Sequence, residues 1–150
     1  VVVLESIYGM RHVPIEEFIV GPGRTSINSD EMVKEIILND HHFNHLTYKK
    51  IGGRQADAIS KVCFTAAIQI KKHVVEDFRM SFGAVGPTVV RCVDLEEKIK
   101  GHSTEWLKEH KEELVQAYSE HIVPIDDQRS TASYRKKICL NLMNDFMHIS

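Results

Sequence analysis

Residues 62–91, VCFTAAIQIKKHVVEDFRMSFGAVGPTVVR, carry the reading on which the fold turns. Val62, Phe64, Ala66, Ile68 and Ile70 fill every second position, while Lys61, Thr65, Gln69 and Lys71 lie opposite. Successive side chains of a strand point to opposite faces, so the alternation describes one apolar and one polar face. A polar break follows around Lys72 and Glu76, and Phe78, Met80, Phe82 and Ala84 then repeat the pattern. Two such strands with a short connection predict an antiparallel pair, buried on one face and wet on the other. The even-numbered residues, Phe64 among them, are expected to face the rest of the domain. Gly83, Gly86 and Pro87 close the stretch, and a proline without an amide proton is expected to end the ladder.

Downstream the pattern is helical. DLEEKIKG has an Asp at its start and a Gly at its stop. From Ser103 to Ile122, Leu107, Leu114, Tyr118 and Ile122 keep one helical stripe, with KEHKEE as its solvated face. Pro124 and DDQRS end it. Tyr134, Ile138, Leu142 and Phe146, with Cys139 and Met143 beside them, give the last helix a wide apolar face. Upstream, VVVLES and RHVPIEEF flank Gly9 as a two-stranded hairpin, VGPGRTSINSDE reads as a loop, and EMVKEIIL leans towards strand. HLTYKKI, residues 45–51, alternates with Leu46, Tyr48 and Lys50 on one face. Strands first and helices afterwards predict an α+β layer, a small antiparallel sheet backed by helices.

With 150 residues and 43% hydrophobic content, the chain can bury one sizeable core. Its 19 basic and 21 acidic residues give a formal charge of −2, which argues against nucleic acid or an anionic membrane as partner. No apolar run approaches the ~20 residues of a spanning helix. Cys63, Cys92 and Cys139 lack CxxC spacing and sit within apolar patterns, so they are expected as reduced, buried thiols of a cytoplasmic protein. The chain opens on valine inside what reads as a strand, which we take as the sign of a piece of a longer protein.

Catalytic motifs are weak, and no catalytic residue is assigned. HHFNH could offer imidazoles to zinc, yet no Cys or carboxylate stands at ligand spacing and the pattern is not helical. It reads as a solvated loop, with no metal expected. GPG at 21–23 reads as a plain turn. KKIGGR at 49–54 could present backbone amides and positive charge to an anion, or simply turn a hairpin; composition favours the turn.

MSFGAVGPTVVR resembles the aFGgvaPTpiR pattern in the C-terminal domain of the FAD-binding, medium subunit of xanthine dehydrogenase-type molybdenum hydroxylases, carbon monoxide dehydrogenase included. Three further stretches match in order. RHVPIEEFIVGPGRTSINSDEMVKEI is similar to the end of that subunit's FAD-binding domain, YKKIGGRQADAISKV to its f.K...R.a.dia.v segment, and DQRSTASYRKKI to its d.raS..yRr stretch.

The resemblance implies residues 1–40 as the tail of an FAD-binding domain and residues 41–150 as the flavoprotein C-terminal domain. Gly83 and Gly86 would allow close backbone approach, and Arg91 would lead into the first helix. It also implies FAD as cofactor, with molybdopterin on a large partner subunit and 2Fe-2S clusters on a small one. Electrons would pass through FAD to an acceptor such as NAD. Lys50 aligns with a lysine that contacts FAD, Met32 and Val33 with an apolar pair against the cofactor. Arg54 and Asp57 match a loop near the flavin; GRQAD stands where many relatives have RRxxD, so its charge is lower. The family's glycine-rich pyrophosphate loops are not found before Val1. The polypeptide alone is therefore expected to carry only the edge of the site and to bind FAD weakly or not at all. A second reading keeps the ancestry without the flavin: a truncated domain that docks on a partner.

Overall fold

The computed structural model describes residues 1–54 and 57–148, and the chain divides into two compact units, Val1–His41 and His42–Ser150. In the first, β1 (Val2–Ser6) pairs antiparallel with β2 (Gly9–Val13), the hairpin read from the sequence. A four-residue helix α1 (Ile15–Phe18) follows, which the strand reading of RHVPIEEF did not anticipate. Pro14 sits at its N-cap, where a missing amide proton is harmless. The Gly-Pro loop holds a small ladder, β3 (Ile19–Gly21) against β4 (Arg24–Thr25), and β5 (Met32–Ile36) returns to the other edge of β1. Val2, Leu4 and Val13 form the core with Phe18 packed against them. Arg11 grips Glu31 through Nε and Nη2 at 2.6 and 2.8 Å, and the Asn28 amide donates to the same carboxylate at 2.7 Å. The Arg11 hydrogen bonds lead in lowering the Glu31 pKa to about 2.

The second unit carries the main core. Its sheet runs β6 (His45–Ile51), β7 (Val62–Lys71), β8 (Val74–Gly83) and β9 (Val90–Arg91), every pair antiparallel. Phe64, Ala66, Ile68, Phe78, Met80 and Phe82 are buried, as the alternation required. The β7–β8 connection is two residues, Lys72 and His73, with φ of 49° and 63°. Left-handed geometry at both central positions matches the twist of the flanking strands. A bulge beside Gln69 and Ile70 then shifts the phase, so that Val75 rather than Val74 is buried.

The glycine-rich turn does more than end the ladder. After Gly83 the chain bends through Ala84, at φ 65°, and comes back so that Val90 and Arg91 pair with Phe82 and Ser81. A Cβ on Gly86 would lie 3.0 Å from Cγ2 of Val90, a tight approach to which the valine would have to yield.

The helices are α2 (Val93–Ile99), α3 (Thr104–Glu109), α4 (Lys111–His121) and α5 (Ala132–Phe146). Three readings need correction. Asp94 does not cap α2: the N-cap position is Cys92, and Asp94 lies in the first turn. Ser103–Ile122 is two helices, broken at His110, whose imidazole Nδ1 meets the Trp106 carbonyl oxygen at 2.9 Å and whose ring stacks on Trp106 at 4.2 Å. On α5 Cys139, Met143 and Phe146 are buried and Ile138 and Leu142 pack partly buried against the core, as expected, but Tyr134 is 41% exposed and the unexpected Arg135 is buried. The thiols divide as well: Cys92 and Cys139 are buried, but Cys63 is only half-buried.

Arg135 takes the buried place at the start of α5. Its Nη1 donates to the Ala84 carbonyl at 2.8 Å and its Nη2 to Asp127 Oδ1 at 2.6 Å. Hydrogen bonds from Arg129, then from backbone amides and Arg135, outweigh burial and hold the Asp127 carboxyl below the usual carboxylate range. A depressed folded-state pKa stabilises above the unfolded value and loses that contribution as pH falls. The melting temperature should therefore hold above about pH 5 and drop below about pH 4, where free carboxylates begin to protonate. Asp127→Asn should flatten the acid limb; an unchanged limb would assign it to other carboxylates.

Candidate functional site

Strand register places the sequence-assigned residues. On the helix-free face of the second unit, side chains line up in cross-strand rows. Lys50 faces Cys63, which faces Gly83; Tyr48 faces Thr65, then Ser81, then Arg91; Leu46 faces Ala67, then Arg79. Leu46 and Tyr48 are 69% and 61% exposed, and Lys50 is exposed beside them. The Lys50 row is the lowest of the three, because its central and far members are a thiol and a glycine. A Cβ on Gly83 would stand 3.3 Å from that of Cys63, so the row is held shallow by the same glycine that starts the turn.

The loop after β6 is tied at its base, where the Lys61 amide donates to the Ile51 carbonyl at 2.7 Å. Gly52 is required there, since a Cβ would come within 2.9 Å of the Ala58 Cβ. Arg54 turns inward on its own loop, donating from Nε and Nη2 to the Asp57 carbonyl at 3.2 and 2.6 Å. Asp57 adopts φ 50°, a left-handed conformation that these bonds help to hold. Gly53, Arg54, Asp57, Ala58, Ile59, Lys61 and Arg129 border an open depression of about 550 Å³ with three cations on its rim. Residues 55–56 of the GGRQAD motif lie outside the described residues.

Lys50, Arg54 and Asp57 thus share one end of the second unit. Met32 and Val33 are consecutive on β5 of the first, opposite Glu5 and Leu4, and are 65% and 41% exposed. Sequence reasoning missed Cys63 and Gly83 as neighbours of Lys50. The signal was available: the odd-numbered residues of β7 form the wet series, and Cys63 belongs to it. It also missed Glu96, only 1% exposed, whose carboxylate receives Arg91 Nε and Nη2 and the Met80 amide at 2.6–3.0 Å. Among the described residues no group of three or more His, Cys, Asp or Glu could hold a metal, and no helix is long and apolar enough to cross a membrane.

A four-stranded antiparallel sheet with helices on one face, joined by a glycine-rich return that ends on a buried ion pair, defines an α+β domain of recognisable kind. The sequence model of the CO dehydrogenase flavoprotein C-terminal domain matches residues 47–149, and the chain belongs to that family. The glyceraldehyde dehydrogenase medium chain of Sulfolobus acidocaldarius is 27% identical over 138 residues, covering 91% of this chain and 48% of the relative. The xanthine dehydrogenase FAD-binding subunit of Escherichia coli O157:H7 is 30% identical over 91 residues, 59% of this chain and 31% of its own. The chain therefore spans about half the length, or less, of these curated relatives.

Among solved structures, a chain of quinoline 2-oxidoreductase from Pseudomonas putida 86 matches with a TM-score of 0.82 at 15% identity, over 97% of this chain and 50% of that one. A chain of the Hydrogenophaga pseudoflava carbon monoxide dehydrogenase that lacks the Mo-pyranopterin moiety matches at 0.77 and 22%, over 96% and 50%. At these identities the likeness establishes the fold.

Proposed function

We propose that this chain is the C-terminal part of the FAD-carrying subunit of a molybdenum hydroxylase of the xanthine dehydrogenase kind. In this reading residues 1–40 end the FAD-binding domain and residues 41–150 form the flavoprotein C-terminal domain. The subunit works in the cytoplasm beside a molybdopterin-binding large subunit and a 2Fe-2S small subunit, and this stretch alone is inactive. Bound FAD would supply the redox chemistry between the clusters and an acceptor such as NAD. The chain's own residues hold and tune it.

The observation that carries this reading is the Lys50 row. A shallow strip with an exposed ammonium at one end fits one edge of a planar, hydrogen-bond-accepting ring, and a side chain at Gly83 would fill it. The Lys50 ammonium makes no hydrogen bond or ion pair among the described residues, so its donors are available. Its stem can lie along Tyr48 and Leu46 while the head reaches outward. Met32 and Val33, exposed side by side on β5, are the apolar pair assigned to lie against the cofactor. Arg54, bound to the Asp57 carbonyl, shapes the neighbouring loop.

The test uses the complete subunit that contains these residues, purified and read by its visible flavin spectrum. Lys50→Ala should weaken FAD retention roughly ten- to a hundred-fold, because a hydrogen bond from a charged donor is worth ~1.5–3 kcal/mol. Lys49→Ala, whose side chain points to the opposite face of β6, should change little. Equal retention by both variants would reduce Lys50 to an ordinary surface lysine. A wild-type subunit without flavin would favour the docking domain instead.

A further inference from the structure

The wet face holds a string of polar groups that no motif announced. The Cys63 thiol donates to Ser60 Oγ at 3.0 Å, and the Tyr48 side chain lies near the same sulfur. Tyr48 and Cys63 are diagonal neighbours across β6 and β7, within the reach of an aromatic side chain. Ser60 belongs to the loop that Gly52 and Arg54 shape. The string therefore runs from that loop, across the middle of the Lys50 row, to the tyrosine next to Lys50.

We propose that Tyr48 is a positioning residue for the flavin: set beside Cys63, whose thiol is held by Ser60, its ring forms the side wall against which a planar ring settles over the Lys50 row. The inference rests on the reading of Lys50 given above. Three features of this chain support it. Tyr48 is 61% exposed, so its ring has a face to offer. The row beside it is shallow because Cys63 and Gly83 are small, leaving a step whose riser is the tyrosine ring and whose floor is the thiol. Ser60 Oγ accepts from the Cys63 thiol at 3.0 Å and so fixes the floor of that step. An aromatic wall beside a cation gives the site a preferred ring orientation, which a lysine alone on a flat sheet would not.

Cys63 makes the proposal readable without an activity assay. It is the half-buried thiol, whereas Cys92 and Cys139 are buried and serve as slow internal standards. In the complete subunit, alkylation by N-ethylmaleimide followed by mass spectrometry should be about tenfold slower at Cys63 with FAD seated than after FAD is stripped. A covered side chain reacts only in the ligand-free fraction. Tyr48→Ala should lower FAD retention roughly three- to tenfold, the worth of one aromatic packing contact. It should also alter the visible circular dichroism of the residual bound flavin, which a loss of stability alone would not do. Tyr48→Phe keeps the wall, so it should retain FAD and leave the same dichroic band close to that of the parent. If Cys63 reacts equally fast with FAD seated while Lys50→Ala still loses flavin, the wall is wrong and the lysine contact stands. If the wild-type subunit seats no FAD, both fall together.

Discussion

Phe64→Ala is expected to destabilise the second unit by about 3–5 kcal/mol. Phe64 is 1% exposed and sits where three elements meet. Its ring centroid lies 5.0 Å from that of Phe82 on β8 and 6.1 Å from that of Phe146 on α5, the latter nearly edge-on at 73°. Phe146 also approaches Phe78 at 5.9 Å, so the aromatic cluster ties sheet to last helix. Removing the central ring leaves a cavity bounded by aromatic and strand side chains that can relax only in part. Trp106 is the only tryptophan and belongs to the same unit, so its fluorescence follows this unfolding directly. Urea titration should show a lower midpoint with little change in slope. Thr65→Ala, exposed on the wet face one residue away, should stay within about 0.5 kcal/mol of the parent chain. A loss below about 1 kcal/mol for Phe64→Ala would mean the core is looser than close packing allows.

The same residue shows what a sequence can and cannot disclose. The β7–β8 hairpin was legible because period-two alternation is a direct image of strand geometry, and burial enforces it at Val62, Phe64, Ala66 and Ile68. The break at His110 was not, because Leu107 and Leu114 are seven residues apart and remain on one stripe whether the helix is whole or cut there. Arg135 escaped for a different reason. Apolar patterning discards a cation, yet this guanidinium is 3% exposed and acts as a clasp between Ala84 and Asp127. Its worth lies in hydrogen-bond geometry, which has no period.

The candidate site divides along the same line. Lys50 was found through family likeness and its place on the face of Leu46 and Tyr48 through alternation. The row that gives that lysine a floor needed the register of three strands. That register depends on a two-residue turn formed by Lys72 and His73, not the glycines or asparagines that usually mark such turns.

The ion pair at the end of the glycine-rich return gives the second large expectation. Arg91→Met should cost about 3–5 kcal/mol, because it leaves the Glu96 carboxylate buried without its cation. Glu96 is 1% exposed, whereas the Arg91 side chain is 42% exposed, so the penalty lies with the acid. The carboxylate would keep only the Met80 amide at 2.9 Å and the Tyr118 hydroxyl at 3.3 Å, too little to replace water around a full charge. Adding Glu96→Gln should then restore stability, by roughly 1–3 kcal/mol, the coupling expected between groups in direct contact. The amide removes the charge yet leaves an oxygen to accept from the Met80 amide, a bond that a hydrophobic replacement would forfeit. Tyr118 loses little in either variant, since its single hydroxyl proton can go to the Met80 carbonyl at 3.1 Å instead. Urea unfolding of the parent, both single variants and the double variant closes the cycle. Amide exchange at Phe82 and Arg91 should quicken in Arg91→Met if the β9 pairing loosens with the bridge. Should the two substitutions simply add, the buried charge is not what the arginine neutralises, and the return at Gly86 is held by its backbone and by Arg135 alone.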